Sequence, residues 1–293
     1  MSNNYEQYIL SEKMIKINFR DTIQSYDIQM HDPFMNIIIN LLETCSISLD
    51  DLGLNKKDFA EKAKEQSIKI IIGEYLAKLG SASNLLASHF LGDAQWNYGN
   101  NDWFDHRHHL LDPKERFSND WIASGFNVLK VLPIKGVLLD LCSGDGFYAY
   151  YLYRTRASHI DCIEKNPELI NHSKRLHSAN NIKYISGDIL NYNFKTNFYD
   201  VIVIRGAIEH FSAENQQKIF QKVNKALKPA GWFCGDTPAN PQKKQHKMLP
   251  AHENEWVDER EMETDLKKVF DIVITDSFKS PDRTTLIFRC KKK

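Results

Sequence analysis

The chain lacks an excess of either charge. Its 293 residues carry 38 Lys and Arg against 38 Asp and Glu, so no global positive field gathers a polyanion, and nucleic acid is disfavoured as a partner. It lacks a long apolar run as well: nothing approaches the ~18 consecutive apolar residues of a membrane span. The opening Met1-Ser2-Asn3-Asn4-Tyr5-Glu6 has no basic-then-apolar order of the kind a secretion signal shows. Together these absences give the expectation of a cytoplasmic protein with no membrane contact. Cysteine is scarce and poorly placed for cross-linking. Cys45, Cys142, Cys162, Cys234 and Cys290 are odd in number and never form a C-x-x-C pair, which argues against a disulfide framework and against a zinc knuckle. No internal repeat is visible.

What is present divides into three stretches. Residues 1–95 read as a helical domain, with apolar residues at mostly helical spacing over 56–79 (Phe59, Ala63, Ile68, Ile71, Ile72, Tyr75, Leu76, Leu79) and a stop at Gly80. No chemistry-bearing pattern stands out there, and the expected role is covering a substrate or forming a homodimer. Residues 96–130 are a connecting or lid segment dense in aromatics and amides (Trp96, Asn97, Tyr98, Asn100, Asn101, Trp103, Phe104) and carry His106, His108 and His109. Adjacent histidines point in different directions on any regular element, and no cysteine or spaced carboxylate completes a set, so no metal site is assigned to them. Residues 131–293 form the third stretch.

This third stretch is organised around an apolar run, Val137-Leu138-Leu139-Asp140-Leu141, followed by the turn Cys142-Ser143-Gly144-Asp145-Gly146. An apolar run of this length suits a strand buried on both faces of a parallel sheet. Glycines in the turn let backbone approach a ligand closely. A helix over 147–153 follows, and strands are expected at 159–164, 182–186, 199–205 and 231–236, with helices at 167–178 and 212–227. Asn166-Pro167-Glu168 is a helix start: a capping amide, a proline in the first turn and an acid at the positive end of the dipole. A turn over 228–231 precedes the fifth strand. A helix at 258–269 and a closing pair of strands at 271–278 and 284–290 complete an α/β, doubly wound sheet.

The glycines alone leave the ligand open. Gly144-x-Gly146-x-x-Ala149, with Glu164 about 20 residues on, also fits the dinucleotide fingerprint of a nicotinamide-dependent oxidoreductase. Three features favour a different ligand: Asp140 stands in the strand before the glycines, a second acidic turn at Gly187-Asp188 closes the third strand, and the sheet ends in a hairpin. With these, residues 137–290 resemble the class I S-adenosylmethionine-dependent methyltransferases, closest in motif to small-molecule O-methyltransferases. The resemblance lies in Asp140-Leu141-Cys142-Ser143-Gly144-Asp145-Gly146, Glu164, Asp188-Ile189, the run from Asp200 to His210, and Ala226-Leu227-Lys228-Pro229-Ala230-Gly231.

The resemblance implies a seven-stranded Rossmann-like sheet with S-adenosylmethionine as cofactor. Cys142, Gly144 and Gly146 would lie along its methionine part, Asp140 would take its ammonium, Glu164 its ribose hydroxyls, and Asp188 and Ile189 its adenine. Arg205 would line the cleft through its backbone, and Arg107 or Arg116 would meet the cofactor carboxylate. Glu209 and His210 lie at the carboxyl end of the fourth strand, where open α/β sheets do their chemistry, with His210 as general base and Glu209 orienting it or binding substrate. Relatives that use a metal there carry further carboxylates just before this pair. Arg205, Gly206 and Ala207 occupy those places, which argues against metal-assisted transfer. His252-Glu253-Asn254-Glu255-Trp256 resembles the His-x-x-Glu-aromatic segment that many family members carry before the last helix, and is expected to border the acceptor pocket or to buttress it. The expected activity is methylation of a small molecule (a sugar, lipid precursor or secondary metabolite), O-directed, with N-methylation of an amino sugar, a nucleic-acid or protein acceptor, and a non-catalytic scaffold as alternatives.

Overall fold

The computed structural model describes residues 118–279 and 283–292, together with Gly80. Gly80 apart, these residues belong to one of the chain's two compact units, Asn84–Lys293. The expected helical region 1–95, the part of the lid segment before residue 118, Arg107, Arg116 and the turn at 280–282 lie outside the described residues.

Helix α1 (Ser118–Leu129) precedes β1 (Gly136–Leu141), and β2 (Ala157–Glu164), α2 (Pro167–Leu176), β3 (Ile182–Ser186) and β4 (Tyr199–Arg205) follow. After a single 3-10 turn, Ile208–His210, come α3 (Ala213–Ala226), β5 (Leu227–Pro238), α4 (Glu259–Leu266), β6 (Ile272–Lys279) and β7 (Thr284–Lys291). The seven strands form one sheet in the order β3-β2-β1-β4-β5-β7-β6. β1 to β5 pair in parallel, and β7 runs antiparallel between β5 and β6. The strand order reverses beside β1, between β1 and β4, and this is where an open α/β sheet leaves a crevice at its carboxyl ends.

The central strands are apolar on both faces because both are covered. Leu138, Val201, Val203 and Cys234 pack with Val128, Tyr148 and Tyr153 on the face that α1 covers. Leu139, Leu141, Ile202, Ile204 and Phe233 pack on the other with Phe220, Trp256 and Phe270. Side chains alternate along a strand, so Asp140, Arg205 and Asp236 belong to the α1 face at the ends of their strands. Asn127 of α1 donates to the Phe288 carbonyl at 3.1 Å and accepts from Arg289 at 2.9 Å, fixing the helix across the sheet.

Most element ends agree with the sequence reading to within a few residues. Asn166 caps α2 by accepting from the Glu168 amide at 2.9 Å. Ser212 and Asp258 cap α3 and α4 in the same way. Two places differ. The helix after the glycine turn takes a π-helical form over Ala149–Tyr153. Residues 228–231, expected as a turn before β5, instead bulge out within it: Tyr199 pairs with Leu227 and Val201 already with Trp232, and Ala230 takes φ 61° to make the detour.

Candidate active site

The turn after β1 needs left-handed backbone at three positions: Cys142 (φ 53°), Gly144 (φ 57°) and Gly146 (φ 75°). At Gly146 a side chain would also collide with the Tyr184 hydroxyl, 2.5 Å from the Cβ position, so glycine is needed there twice over. At Gly144 no atom of the described residues, its chain neighbours apart, lies within 4 Å of that position, which leaves room for a ligand along the backbone. Cys142 holds its strained conformation without glycine's freedom. Burial pushes its thiol far above the ordinary range and keeps it neutral.

Asp140, next to last in β1, is almost wholly buried, and neither carboxylate oxygen finds a hydrogen-bond donor among the described residues. Burial pushes its pKa up to about 6, with the Arg205 charge holding it back. Arg205, expected to act through its backbone, turns its guanidinium inward over the Tyr148 ring, 3.3 Å from the centroid. Its Nε has no acceptor among the described residues. Burial opposes its charge, but the Asp140 and Asp236 carboxyl groups nearby favour it, and a guanidinium stays protonated. Asp236, aligned beside Arg205 in the sheet, accepts from the Ser124 hydroxyl of α1.

Glu164, ending β2, is already engaged. Its Oε2 accepts from the Gly144 amide at 3.0 Å, and its Oε1 from the amides of Lys165 and Asn166 at 2.8 and 2.9 Å. A carboxylate offers about four lone-pair positions, so Glu164 fastens the glycine turn to β2 and keeps about one position for a ligand hydroxyl. Asp188 accepts from the Leu190 amide at 2.9 Å, and Ile189 next to it is buried. Lys222 of α3 donates to the carbonyls of Ile189 and Leu190 and fixes this loop.

On the other side of the crevice, the 3-10 turn after β4 brings Glu209 inward and His210 outward. Glu209 accepts from the Thr237 hydroxyl at 3.0 Å, and burial pushes its pKa up to about 7. Its carbonyl accepts from the amides of Glu253 and Asn254, and Gln216 bridges the Ile208 and Asn254 carbonyls, so the loop after β4 is sewn to the segment 252–256. His210 Nδ1 lies 3.2 Å from the Ala251 carbonyl and must donate to it, leaving the lone pair on Nε2. Burial, with the neighbouring His252, lowers its pKa below the usual value, so it is neutral at pH 7. The His252 ring meets it edge-on at 4.9 Å and is itself bonded to the buried Glu255, whose other oxygen accepts from Asn240.

Residues 138–231 match the family model described as a methyltransferase domain. The phosphoethanolamine N-methyltransferase of Plasmodium falciparum is 38% identical over 95 residues, which are 32% of this chain and 36% of that one. The chain therefore spans about a third of the length of this curated relative. Among solved structures, the N-methyltransferase NodS of Bradyrhizobium japonicum, in complex with S-adenosylhomocysteine, superposes with a TM-score of 0.50 at 17% identity, over 62% of this chain and 90% of that one. The strand order and the carboxyl-end crevice are those of the class I fold, whose cofactor is S-adenosylmethionine.

The residues at the carboxyl ends of the strands fit that cofactor. A buried carboxylate without a donor is costly, and an ammonium supplies what Asp140 lacks. The open side of Gly144 and the remaining position on Glu164 lie along the same crevice. The domain also brings together donors that are far apart in the sequence. Glu209, His210 and His252 each place a ligand atom within 4.8 Å of the others, as do the buried Asp145, His172 and His177. The first trio has the donors of a divalent-ion site, even though the carboxylates that relatives carry just before Glu209 are missing. His252, expected to border the acceptor pocket, also touches His210. That contact depends on the loop 239–256 folding back onto β4, and its one signal in the sequence is the similar segment in the family.

Proposed function

We propose that the chain binds S-adenosylmethionine across the carboxyl ends of β1, β2 and β4 and methylates a small acceptor placed against His210. The buried carboxylate of Asp140 carries this reading, because it needs a hydrogen-bond donor that the described residues do not supply. Asp140 takes the cofactor ammonium, Gly144 lets backbone lie along the methionine part, Glu164 accepts one ribose hydroxyl, and Asp188 and Ile189 meet the adenine.

When bound, the cofactor supplies an electrophilic methyl on a sulfonium. The protein's part is to hold the acceptor in line, exclude water and remove a proton. His210 suits the proton removal: it is neutral at pH 7, and its Nε2 takes the acceptor proton while Nδ1 stays bonded to the Ala251 carbonyl. Glu209, held by Thr237, sits next to it as a second polar contact for the acceptor.

The acceptor is a hydroxyl of a small molecule in the reading that the O-methyltransferase-like motifs favour. Likeness to the Plasmodium phosphoethanolamine N-methyltransferase over 95 residues favours a second reading, a small primary amine, whose proton His210 would take in the same way. Transfer of labelled methyl from S-adenosylmethionine to a panel holding phosphoethanolamine, amino sugars and hydroxylated metabolites distinguishes them. Label on oxygen supports the first reading and label on nitrogen the second. Binding of S-adenosylhomocysteine without transfer to any small acceptor would refute both.

A further inference from the structure

The α1 face carries a charge pair, Asp140 and Arg205, of which the cofactor ammonium meets only one member. Asp140 is aligned with Val203 across β1 and β4, so Arg205, two residues on, is its diagonal neighbour on the same face. Strand spacing and rise put their Cα atoms about 8 Å apart. They act on each other electrostatically, yet neither Asp140 oxygen nor the Arg205 Nε has a hydrogen-bond partner among the described residues. Two opposite charges buried this close usually close into a fork-shaped pair, because leaving either unbonded is expensive. Here no such bond forms between them. The Tyr148 ring lies against the guanidinium, and Asp236, tied to Ser124, stands beside it in the sheet.

A carboxylate and a guanidinium not bonded to each other on one wall complement a zwitterion. We propose that Arg205 binds the α-carboxylate of the cofactor while Asp140 takes its α-ammonium, so that the pocket reads an intact α-amino acid group. This rests on the cofactor reading and adds to it a specificity residue that the strand pattern itself positions. Arginine suits this role through its planar fork, which meets both oxygens of a carboxylate, and through its stacking on an aromatic ring; a lysine offers neither. The competing role is that of an internal counter-ion, with Arg205 merely offsetting Asp140 and Asp236.

Calorimetric titration of the full chain with S-adenosylhomocysteine and with its decarboxylated analogue, which keeps the ammonium, separates these roles. Wild type is expected to favour S-adenosylhomocysteine by about 10–100-fold, the range of a charge-assisted hydrogen-bonded pair. In Arg205→Met that preference collapses, because the first ligand weakens while the analogue hardly changes. Arg205→Lys keeps the charge and recovers part of the preference, and it serves as the test if the methionine variant does not fold. Equal weakening of both ligands in either variant, or a wild type that does not discriminate, would overturn the proposal while leaving the cofactor reading intact. A wild type that binds neither ligand would overturn the cofactor reading as well.

Discussion

At the carboxyl end of β1 a buried carboxylate has no donor, and a buried guanidinium beside it has an idle Nε, among the described residues. At the carboxyl end of β4 a second buried carboxylate, Glu209, is bonded to Thr237. The neighbouring His210, His252, Glu255 and Asn240 are joined to one another or to backbone. On the proposed reading the first cluster is completed by a ligand, and the second is bonded before one arrives. Polar groups left unsatisfied inside a fold destabilise it, so the first arrangement persists because the surrounding sheet over-determines it. Preorganised groups cost no rearrangement when a reaction occurs, which suits the second arrangement to chemistry. Binding and catalysis are thus assigned to two walls of one crevice, and substitutions on each should fail differently.

Breaking the bonded wall should have the largest effect on turnover. His210→Ala is expected to slow methyl transfer by roughly 10²–10⁴, the usual worth of a positioned base, and to leave S-adenosylhomocysteine affinity as it was. Steady-state rates beside calorimetry check both halves, and a fully active variant would remove His210 from the mechanism. Glu164→Ala should blur the contrast between walls, because this acid serves the fold and the ligand together. Loss of its three amide bonds should lower stability by about 1–3 kcal/mol as well as weaken S-adenosylhomocysteine, which thermal unfolding and calorimetry would show. Weakened binding with an unchanged melting curve would mean that the glycine turn stands without it.

Acid should act first on the unbonded wall. Asp140 must be ionised to meet an ammonium, and its pKa in the free protein is raised to about 6. S-adenosylhomocysteine affinity should therefore be level above that value and fall by about tenfold per pH unit below it. A flat profile between pH 5 and 7 would place the ammonium elsewhere. The smallest effect concerns stability. Because the folded protein holds the Asp140 proton more tightly than the unfolded chain does, stability falls as pH rises from about 4 through about 6. Asp140→Asn should remove that part of the slope, seen as a melting point at pH 7 equal to or above that of wild type.

The sheet is largely legible in the sequence because its strands are apolar runs closed by turn residues: β3 and β4 have the ends that the pattern marks. Asp140, Glu164 and Asp188 can be placed at strand ends for the same reason, and the capping of α2 is spelled out in Asn166-Pro167-Glu168. Arg205 departs from expectation. Its position at the end of β4 is readable, but whether its guanidinium leaves the sheet or turns inward over Tyr148 depends on how the helix after the glycine turn winds, and its π-helical hydrogen bonding has no sequence signal. Glu164 is less free for ribose hydroxyls than a strand-end acid suggests, because the Gly144 amide already occupies it. The nearness of His252 to His210 depends on how a polar loop of more than ten residues folds back, and periodicity does not reach that far.

Titration of Asp140→Asn with S-adenosylhomocysteine, run beside wild type on protein of matched melting behaviour, bears most directly on whether this carboxylate is held unpaired for a ligand. Wild type should bind saturably and the variant about 10–100-fold more weakly, with no loss of thermal stability. Equal affinities, or a variant that loses stability and not binding, would contradict that role for Asp140.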